Sequence, residues 1–337
     1  MPDSFLALPL GERAEALAVA ATRSGRPADL LEKDVWVVWA LDALFRSAFG
    51  DALCFKGGTS LSKAYRVISR FSEDVDVTYD IRALLPDVTV GETGEPVPAS
   101  RSQEARWSAR VREALPAWVA ATALPLLVDR LADEEAPAQA RADGDRIFLR
   151  YEAAAPGTAD YVRPEVMIEF GARSTGEPVR RVPVDCDAAA HLPMLAFPTA
   201  VPRVMAAERT FWEKATAIHV FCLSERLRGE RYARHWYDLV RLDDHGVADA
   251  ALADRTLGGA VALHKRWFFR VKDAAGTDVD YGAAVDGRLR LVPGEAGLAL
   301  LRDDYGRMVQ AGLLEEAAPP FDALMARCQA LEVRANG

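Results

Sequence analysis

The stretch from Ala52 to Tyr79 constrains the fold more than any other part of the chain, because its hydrophobic period changes twice. Ala52–Phe55 is a short apolar run that stops at Gly57-Gly58. Thr59–Ser69 then sets Leu61, Ala64, Tyr65 and Ile68 on one side of a predicted helix. Val75–Tyr79 alternates with period two, so Asp74, Asp76 and Thr78 share one face and Val75, Val77 and Tyr79 the other. Strand, glycine turn, helix and strand follow one another without a linker, which predicts a compact α/β unit rather than a bundle or a sandwich.

That order carries chemistry. Glycines at a strand end let the backbone approach a ligand, and the first turn of a helix offers unpaired N–H groups where phosphates bind. Gly57, Gly58, Thr59 and Ser60 are the candidate cradle, the last two adding hydroxyl donors. Asp74 and Asp76, at i and i+2 on a strand, project together. Two such carboxylates repel each other unless a cation bridges them, and a Mg²⁺ (or Mn²⁺) shared with a triphosphate does so. A third carboxylate is expected on an adjacent strand. Glu165-Val166-Met167-Ile168-Glu169-Phe170 offers Glu169 first, with Glu165 on the same face as the alternative.

Composition narrows the metal and the setting. Four cysteines are scattered without a C-x-x-C pair and five histidines form no cluster, so zinc spacing is absent and the ligands must be oxygens. No uninterrupted apolar run approaches the ~20 residues of a membrane span. The start, MPDSFLALPLGERAEAL, lacks the basic region of a signal peptide, which predicts a cytoplasmic protein with no membrane partner. A net charge of −9 and a pI near 5.2 argue against wholesale coating of nucleic acid. One local cluster, Arg226, Arg228, Arg231 and Arg234 with Glu230, is either a local basic surface or a solvated helix end or loop.

Periodicity organises the rest. Helices are predicted over 10–24 and 29–48, the latter with Asp29 at its start and Gly50 beyond its end. Residues 83–100 read as a loop and 101–133 as a long amphipathic helix or a kinked pair around Pro116 and Pro125. Ile147–Glu152 and Val162–Phe170 read as strands separated by a Pro-Gly turn, with Val179–Val184 returning. Helices are then expected over 203–227, 232–243, 248–270, 296–310 and 320–333. The expected organisation is N-terminal helices (1–50) and an α/β domain (51–195) built on a small mixed sheet flanked by helices, with an insertion near 83–145. An α-helical domain (196–337) would follow and complete the cleft.

FKGGTSLSKAYRVISRFSEDVDVTYD resembles the first signature of the AbiEii/AbiGii-type toxins. These are nucleotidyltransferase-like proteins of the DNA polymerase β superfamily, found in type IV toxin–antitoxin and phage-abortive systems. Glu208–Thr216, Arg234–Leu239 and Leu291–Met308 resemble the same family. The resemblance implies that Gly58, Thr59 and Ser60 hold nucleotide phosphates and that Asp74 and Asp76 bind the metal. It implies that Lys214 contacts the nucleotide and that Asp238 is needed for activity. It further implies an NTP substrate, transfer to an acceptor hydroxyl such as the 3′ end of tRNA, and a separately encoded antitoxin.

Other readings stay open for several residues. Lys214 flanks an apolar stripe of Phe211, Ala215 and Ile218 and would reach over the cleft, or else pair within its helix. Asp238 would hold that lysine or a second ion, or else pair with Arg234 at i,i+4. His219 and His235 are supporting candidates only. Lys56, Lys63, Arg66 and Arg70 would draw in polyanions, though Arg66 and Arg70 read equally well as a charged helix face. Trp212, Trp236, Trp267 and Phe268 read as core. Transfer to a protein or small molecule, and a non-catalytic NTP- or partner-binding module, are the competing functions.

Overall fold

A computed structural model describes residues 3–72, 74–91, 94–155, 163–224, 231–311, 314 and 317–337. The chain divides into two units. The first comprises Met1–Ala64, Glu73–Pro96 and Ala109–Val204; the second comprises Tyr65–Ser72, Val97–Ser108 and Met205–Gly337.

The first unit opens with α1 (Leu10–Ser24) and α2 (Ala28–Phe45). α2 is apolar on nearly every side, and from Leu31 to Phe45 it is buried throughout, as an all-round hydrophobic helix must be. Two of its buried carboxylates are satisfied: Glu32 accepts from the Ala154 and Ala155 amides, and Asp42 pairs with Arg130 at 2.5 Å. Asp29 lies in the first turn, where it accepts from the Leu30 amide, while Pro27 occupies the cap position.

Among the described residues, seven strands form the main sheet. They are β1 (Leu53–Lys56), β2 (Val75–Tyr79), β3 (Ala138–Asp143), β4 (Arg146–Tyr151), β5 (Glu165–Gly171), β6 (Val179–Arg181) and β7 (Arg203–Met205), in the spatial order β3-β4-β5-β2-β1-β7-β6. The sheet is mixed: β1 and β2 are antiparallel, β2 and β5 parallel, and β3, β4 and β5 successively antiparallel. Val75, Val77, Val166, Ile168 and Phe170 are buried on one face. The central α/β sheet expected from sequence is therefore present. Strand β3 was not expected, because its residues, AQARAD, lack the β-branched and aromatic types that mark strands; the hairpin turn at Gly144 and pairing with β4 decide it. The Pro-Gly turn expected before β5 lies outside the described residues.

Residues 101–133 are one helical run, α4 (Arg101–Trp118) and α5 (Leu124–Asp133), joined by a π-turn over Val119–Ala123. By length and composition this run is long and apolar enough to cross a membrane, with 28% of its most apolar stretch buried. Leu115, Val119, Ala123, Leu127 and Leu131 form its buried stripe.

After β1 the glycine turn leads into α3 (Gly57–Lys63), which stops well short of the expected Ser69. The chain turns instead, with Arg66 at a left-handed φ of 54°, and residues 65–72 belong to the second unit. That unit holds α6 (Ala207–Ser224), α7 (Ala233–Asp244), α8 (Val247–Ala253), α9 (Arg255–Phe268), α10 (Glu295–Gln310) and α11 (Phe321–Asn336). The single helix expected over 248–270 is two, because Asp254 breaks the run and its carboxylate caps α9 through the Leu257 amide. Trp212 fills the middle of the helical core. It is fully buried, donates to the Ala251 carbonyl, and leaves no room for a side chain at Gly258, whose Cβ would lie 2.7 Å from the ring. Trp236 is equally buried and donates to the Leu291 carbonyl, so both tryptophans are core as expected.

Candidate active site

In the first unit, register assembles a row of charges across four strands. Asp76 on β2 pairs with Lys56 on β1 and with Glu169 on β5, and Glu169 pairs with Arg146 on β4. Residues in register across a sheet share a face, so the row reads cation, carboxylate, carboxylate, cation. Arg146 closes on Glu169 at 2.9 Å, both side chains being half-exposed. The Lys56 ammonium lies beside Gly171, 3.7 Å from where that residue's Cβ would be. Register also separates the two glutamates. β2 begins opposite Ile168, so Glu169 stands beside Asp76, while Glu165 pairs with Arg150 on β4 and lies 3.8 Å from Arg141.

The glycine turn meets this row directly. Gly57 has φ +80°, a backbone shape that side chains resist, and a Cβ on it would sit 2.1 Å from Asp76 Oδ2. The turn is glycine for both reasons. Thr59 ties the two motifs: its hydroxyl donates to the Asp74 carbonyl at 2.5 Å, fixing the start of α3 against the start of β2. Ser60 is fully buried and donates to the Gly57 carbonyl at 2.9 Å. Both hydroxyls thus hold the turn in shape.

The far end of α3 is anchored by Lys63, one of the four cations expected to draw in polyanions. Lys63 is instead drawn inward, bonded to Asp34 at 2.6 Å and Asp187 at 2.7 Å. Burial pushes the Lys63 ammonium down, and the two carboxylates outweigh it and raise it overall. Arg26 and the Asp187 amide complete the cluster. A short helix with one end against Asp76 and the other locked by a buried ion network has little freedom to tilt.

The donor set suits a hard cation. Asp74 and Asp76 flank Val75 at the opening of β2, on one face by strand alternation. Among the described residues no three Asp, Glu, His or Cys side chains gather closely enough to hold an ion alone. Mg²⁺ commonly takes one or two carboxylates and completes its shell with substrate phosphates and water, so the pair fits that mode of binding.

In the second unit, Asp238 on α7 is fully buried and receives two cations. Arg70 grips it bidentately, Nε to Oδ1 at 2.6 Å and a terminal nitrogen to Oδ2 at 2.7 Å, and Lys214 on α6 reaches Oδ2 at 2.9 Å. Burial alone would push the Asp238 carboxyl up; Arg70 and Lys214 outweigh it and hold it well below the usual carboxylate range. The expectation that Asp238 holds Lys214 matches the geometry. The i,i+4 pairing with Arg234 does not occur, because Asp238 points inward and Arg234 outward. Arg70 was underrated: read as a charged helix face, it is buried to 5% exposure. An arginine two residues before Ser72, in a segment where the expected helix has already ended, gave no periodic sign of this role.

The surrounding residues place the triad. Asp304 on α10 accepts from the Arg231 and Ala233 amides and so fixes the start of α7. The Tyr237 hydroxyl donates to the Ser69 carbonyl beside Arg70. Burial, with Lys214 and Arg234 nearby, pushes His235 well below the usual imidazole range. His219 is lowered by burial and its Nδ1 accepts from the Arg290 amide, which is a structural task. Of the Arg226–Arg234 cluster, Arg226, Arg228 and Glu230 lie outside the described residues, while Arg231 and Arg234 are exposed.

The family model "Nucleotidyl transferase AbiEii toxin, Type IV TA system" matches residues 39–327. The chain belongs to that family. It is a nucleotidyltransferase toxin, a transferase of the 2.7.7 kind that uses an NTP and has an antitoxin partner by the definition of its system. Among solved structures, MenT4, nucleotidyltransferase toxin Rv2826c from Mycobacterium tuberculosis H37Rv, matches with 18% identity and a TM-score of 0.38, over 95% of this chain and 99% of that one. No curated protein sequence matches. The AbiEii match spans the glycine turn, Asp74, Asp76, Glu169, Lys214 and Asp238 alike.

Proposed function

We propose that this AbiEii toxin transfers a nucleotide from an NTP to the 3′-terminal hydroxyl of tRNA, in the cytoplasm, and thereby blocks translation. The observation that supports this most is the contact of Gly57 with Asp76, which sets a phosphate-binding turn against a carboxylate of the Asp-x-Asp pair. Gly57 and Gly58 would hold phosphate oxygens through backbone N–H groups. Asp74 and Asp76 would hold Mg²⁺ or Mn²⁺, which supplies Lewis-acid neutralisation of the triphosphate when bound. Glu169 would serve as a third carboxylate and take the proton of the attacking hydroxyl. Lys214, paired with Asp238, would contact the nucleotide, as the family resemblance implies. Arg70 positions Asp238 rather than touching substrate. The separately encoded antitoxin need not bind the toxin stably.

The test is incubation of the purified protein with each α-labelled NTP and total RNA, followed by one gel. Label in the tRNA band, abolished in Asp76→Ala, is the expected result. Label in protein or in a small-molecule fraction would replace the acceptor. An unlabelled gel with wild-type protein across all four NTPs and both metals would sink the catalytic reading.

A further inference from the structure

We propose that Arg70 is a positioning residue for Lys214: by holding the Asp238 carboxylate with both arms, it lets the lysine leave that carboxylate for a phosphate of the nucleotide. The inference rests on the proposed contact of Lys214 with the nucleotide, and adds to it how a nearly buried lysine becomes available. All three residues lie in the second unit. Asp238 is fully buried, and its two oxygens are unequally loaded. Arg70 Nε takes Oδ1 at 2.6 Å and Arg70 Nη2 takes Oδ2 at 2.7 Å, while Lys214 Nζ is a further donor on Oδ2 at 2.9 Å. The arginine fork makes the two shorter bonds. The lysine makes one, to an oxygen that is already bonded.

The two cations are also held differently. Arg70 donates to the Phe71 carbonyl at 3.2 Å. The residue before it is fastened to α7 twice: the Ser69 carbonyl accepts from the Tyr237 hydroxyl at 3.2 Å, and the Ser69 hydroxyl meets the Arg241 guanidinium at 3.5 Å. Arg70 is thus fixed without help from Lys214. For the Lys214 ammonium, Asp238 Oδ2 is the one partner among the described residues, which leaves two of its three N–H donors unused there. Its side chain keeps 10% of its surface open, where Asp238 keeps none. Burial pushes the Asp238 carboxyl up, and Arg70, ahead of Lys214, brings it down.

Burial decides what this sharing means. Were Lys214 the sole partner of Asp238, its departure would strand a carboxylate out of water, and that stranding is the main cost of breaking a buried ion pair. With the fork in place, the carboxylate keeps a bidentate, charge-assisted partner when the lysine turns away. The residue types match the two tasks. Arginine is always charged and its planar fork fits a carboxylate; lysine is a point charge on a flexible stem, suited to the member that moves. A structural role alone accounts for the burial and for the fork. It does not account for an ammonium almost out of water with two donors unused, which is costly until another acceptor completes it. A nucleotide phosphate is such an acceptor.

The experiment measures, by calorimetry, the affinity of the purified full chain for each of the four α,β-methylene NTPs with Mg²⁺, with urea titrations to confirm folding. Arg70→Met leaves Asp238 with Lys214 alone. It is expected to weaken binding on the order of 100-fold, because releasing the lysine then strands a buried charge; KM for NTP should rise in step while kcat changes far less. Adding Asp238→Asn to Arg70→Met removes the charge that holds Lys214 and should restore affinity to within about tenfold of wild type, the effect of one neutral hydrogen bond. Arg70→Lys keeps the counter-charge and loses the fork. It should weaken binding less than Arg70→Met, and is the variant to read if the double variant does not fold. Unchanged affinity in folded Arg70→Met overturns the proposal. So does equal weakening by Arg70→Lys and Arg70→Met, or a folded double variant that binds no better than Arg70→Met. Lys214→Met separates this inference from the reading beneath it. If it weakens binding and Arg70→Met does not, the nucleotide contact stands and the role of Arg70 falls. If it leaves affinity unchanged, the Lys214 contact falls and this inference with it.

Discussion

Substituting Gly57 by alanine tests the contact on which the active-site reading turns. The added Cβ would lie 2.1 Å from Asp76 Oδ2, 2.9 Å from its Cγ and 3.0 Å from its Cβ. Non-bonded carbon contacts settle near 3.5–4.0 Å, so the whole Asp76 side chain, and not just one oxygen, must retreat by about 1 Å or more. A left-handed φ adds about 1–2 kcal/mol for alanine, a loss that a domain of this size tolerates. Displacement of a reacting group by about 1 Å costs on the order of 100-fold in rate. Gly57→Ala is therefore expected to stay folded, with a modestly lowered melting temperature, while the initial rate of α-labelled NTP transfer falls about 100-fold. Gly171→Ala is the matched control. It lies on the same face of the same sheet, and its added Cβ would meet Lys56 Nζ at 3.7 Å and the Val77 carbonyl at 4.0 Å, both ordinary contacts. It should retain near wild-type transfer. A folded Gly57→Ala protein with wild-type rate, or equal losses in the two variants, would refute the reasoning.

Asp238→Asn leaves Arg70 and Lys214 buried without a counter-charge and should lower stability by about 3–5 kcal/mol in urea titrations; Arg70→Met in the same chain should recover part of that loss, and no recovery would count against the ion pair as the cause. Because the folded Asp238 titrates below its unfolded value of about 3.9, its contribution is complete above that pH and declines as pH falls toward the folded value. The stability gap between wild type and Asp238→Asn should narrow steadily from pH 5 to pH 2, and a constant gap contradicts the assignment. Glu169→Gln removes the proposed base beside Asp76; the expected result is a 10²–10⁴-fold fall in kcat with the melting temperature nearly unchanged, since the half-exposed pair with Arg146 contributes little. A folded variant with wild-type kcat would assign the base elsewhere. Lys63→Met strands the buried Asp34, while Asp187 keeps Arg26, and should destabilise by about 3–5 kcal/mol, whereas a neutral effect would mean that α3 does not depend on this anchor.

The local parts of this protein could be read from residue types alone. Period-two alternation at Val75–Tyr79 and Glu165–Phe170 fixed which carboxylates share a face, because strand geometry leaves only two choices. The stripe of Phe211, Ala215 and Ile218 likewise placed Lys214 on a helix flank, and the glycine pair announced a turn that no other residue could make. Register, burial and partners are different in kind. That Glu169 rather than Glu165 stands beside Asp76 depends on how β5 slides along β2. That Arg70 is a buried partner of Asp238, and Lys63 an anchor instead of a polyanion guide, depends on where the chain leaves α3. That Trp267 is stacked under a guanidinium depends on α4 arriving from more than a hundred and fifty residues away. Sequence by itself determined periodicity and chemistry, since each follows from neighbours along the chain; only the tertiary structure decided which charges meet, since Coulomb pairing and burial depend on distances that separation in sequence does not encode.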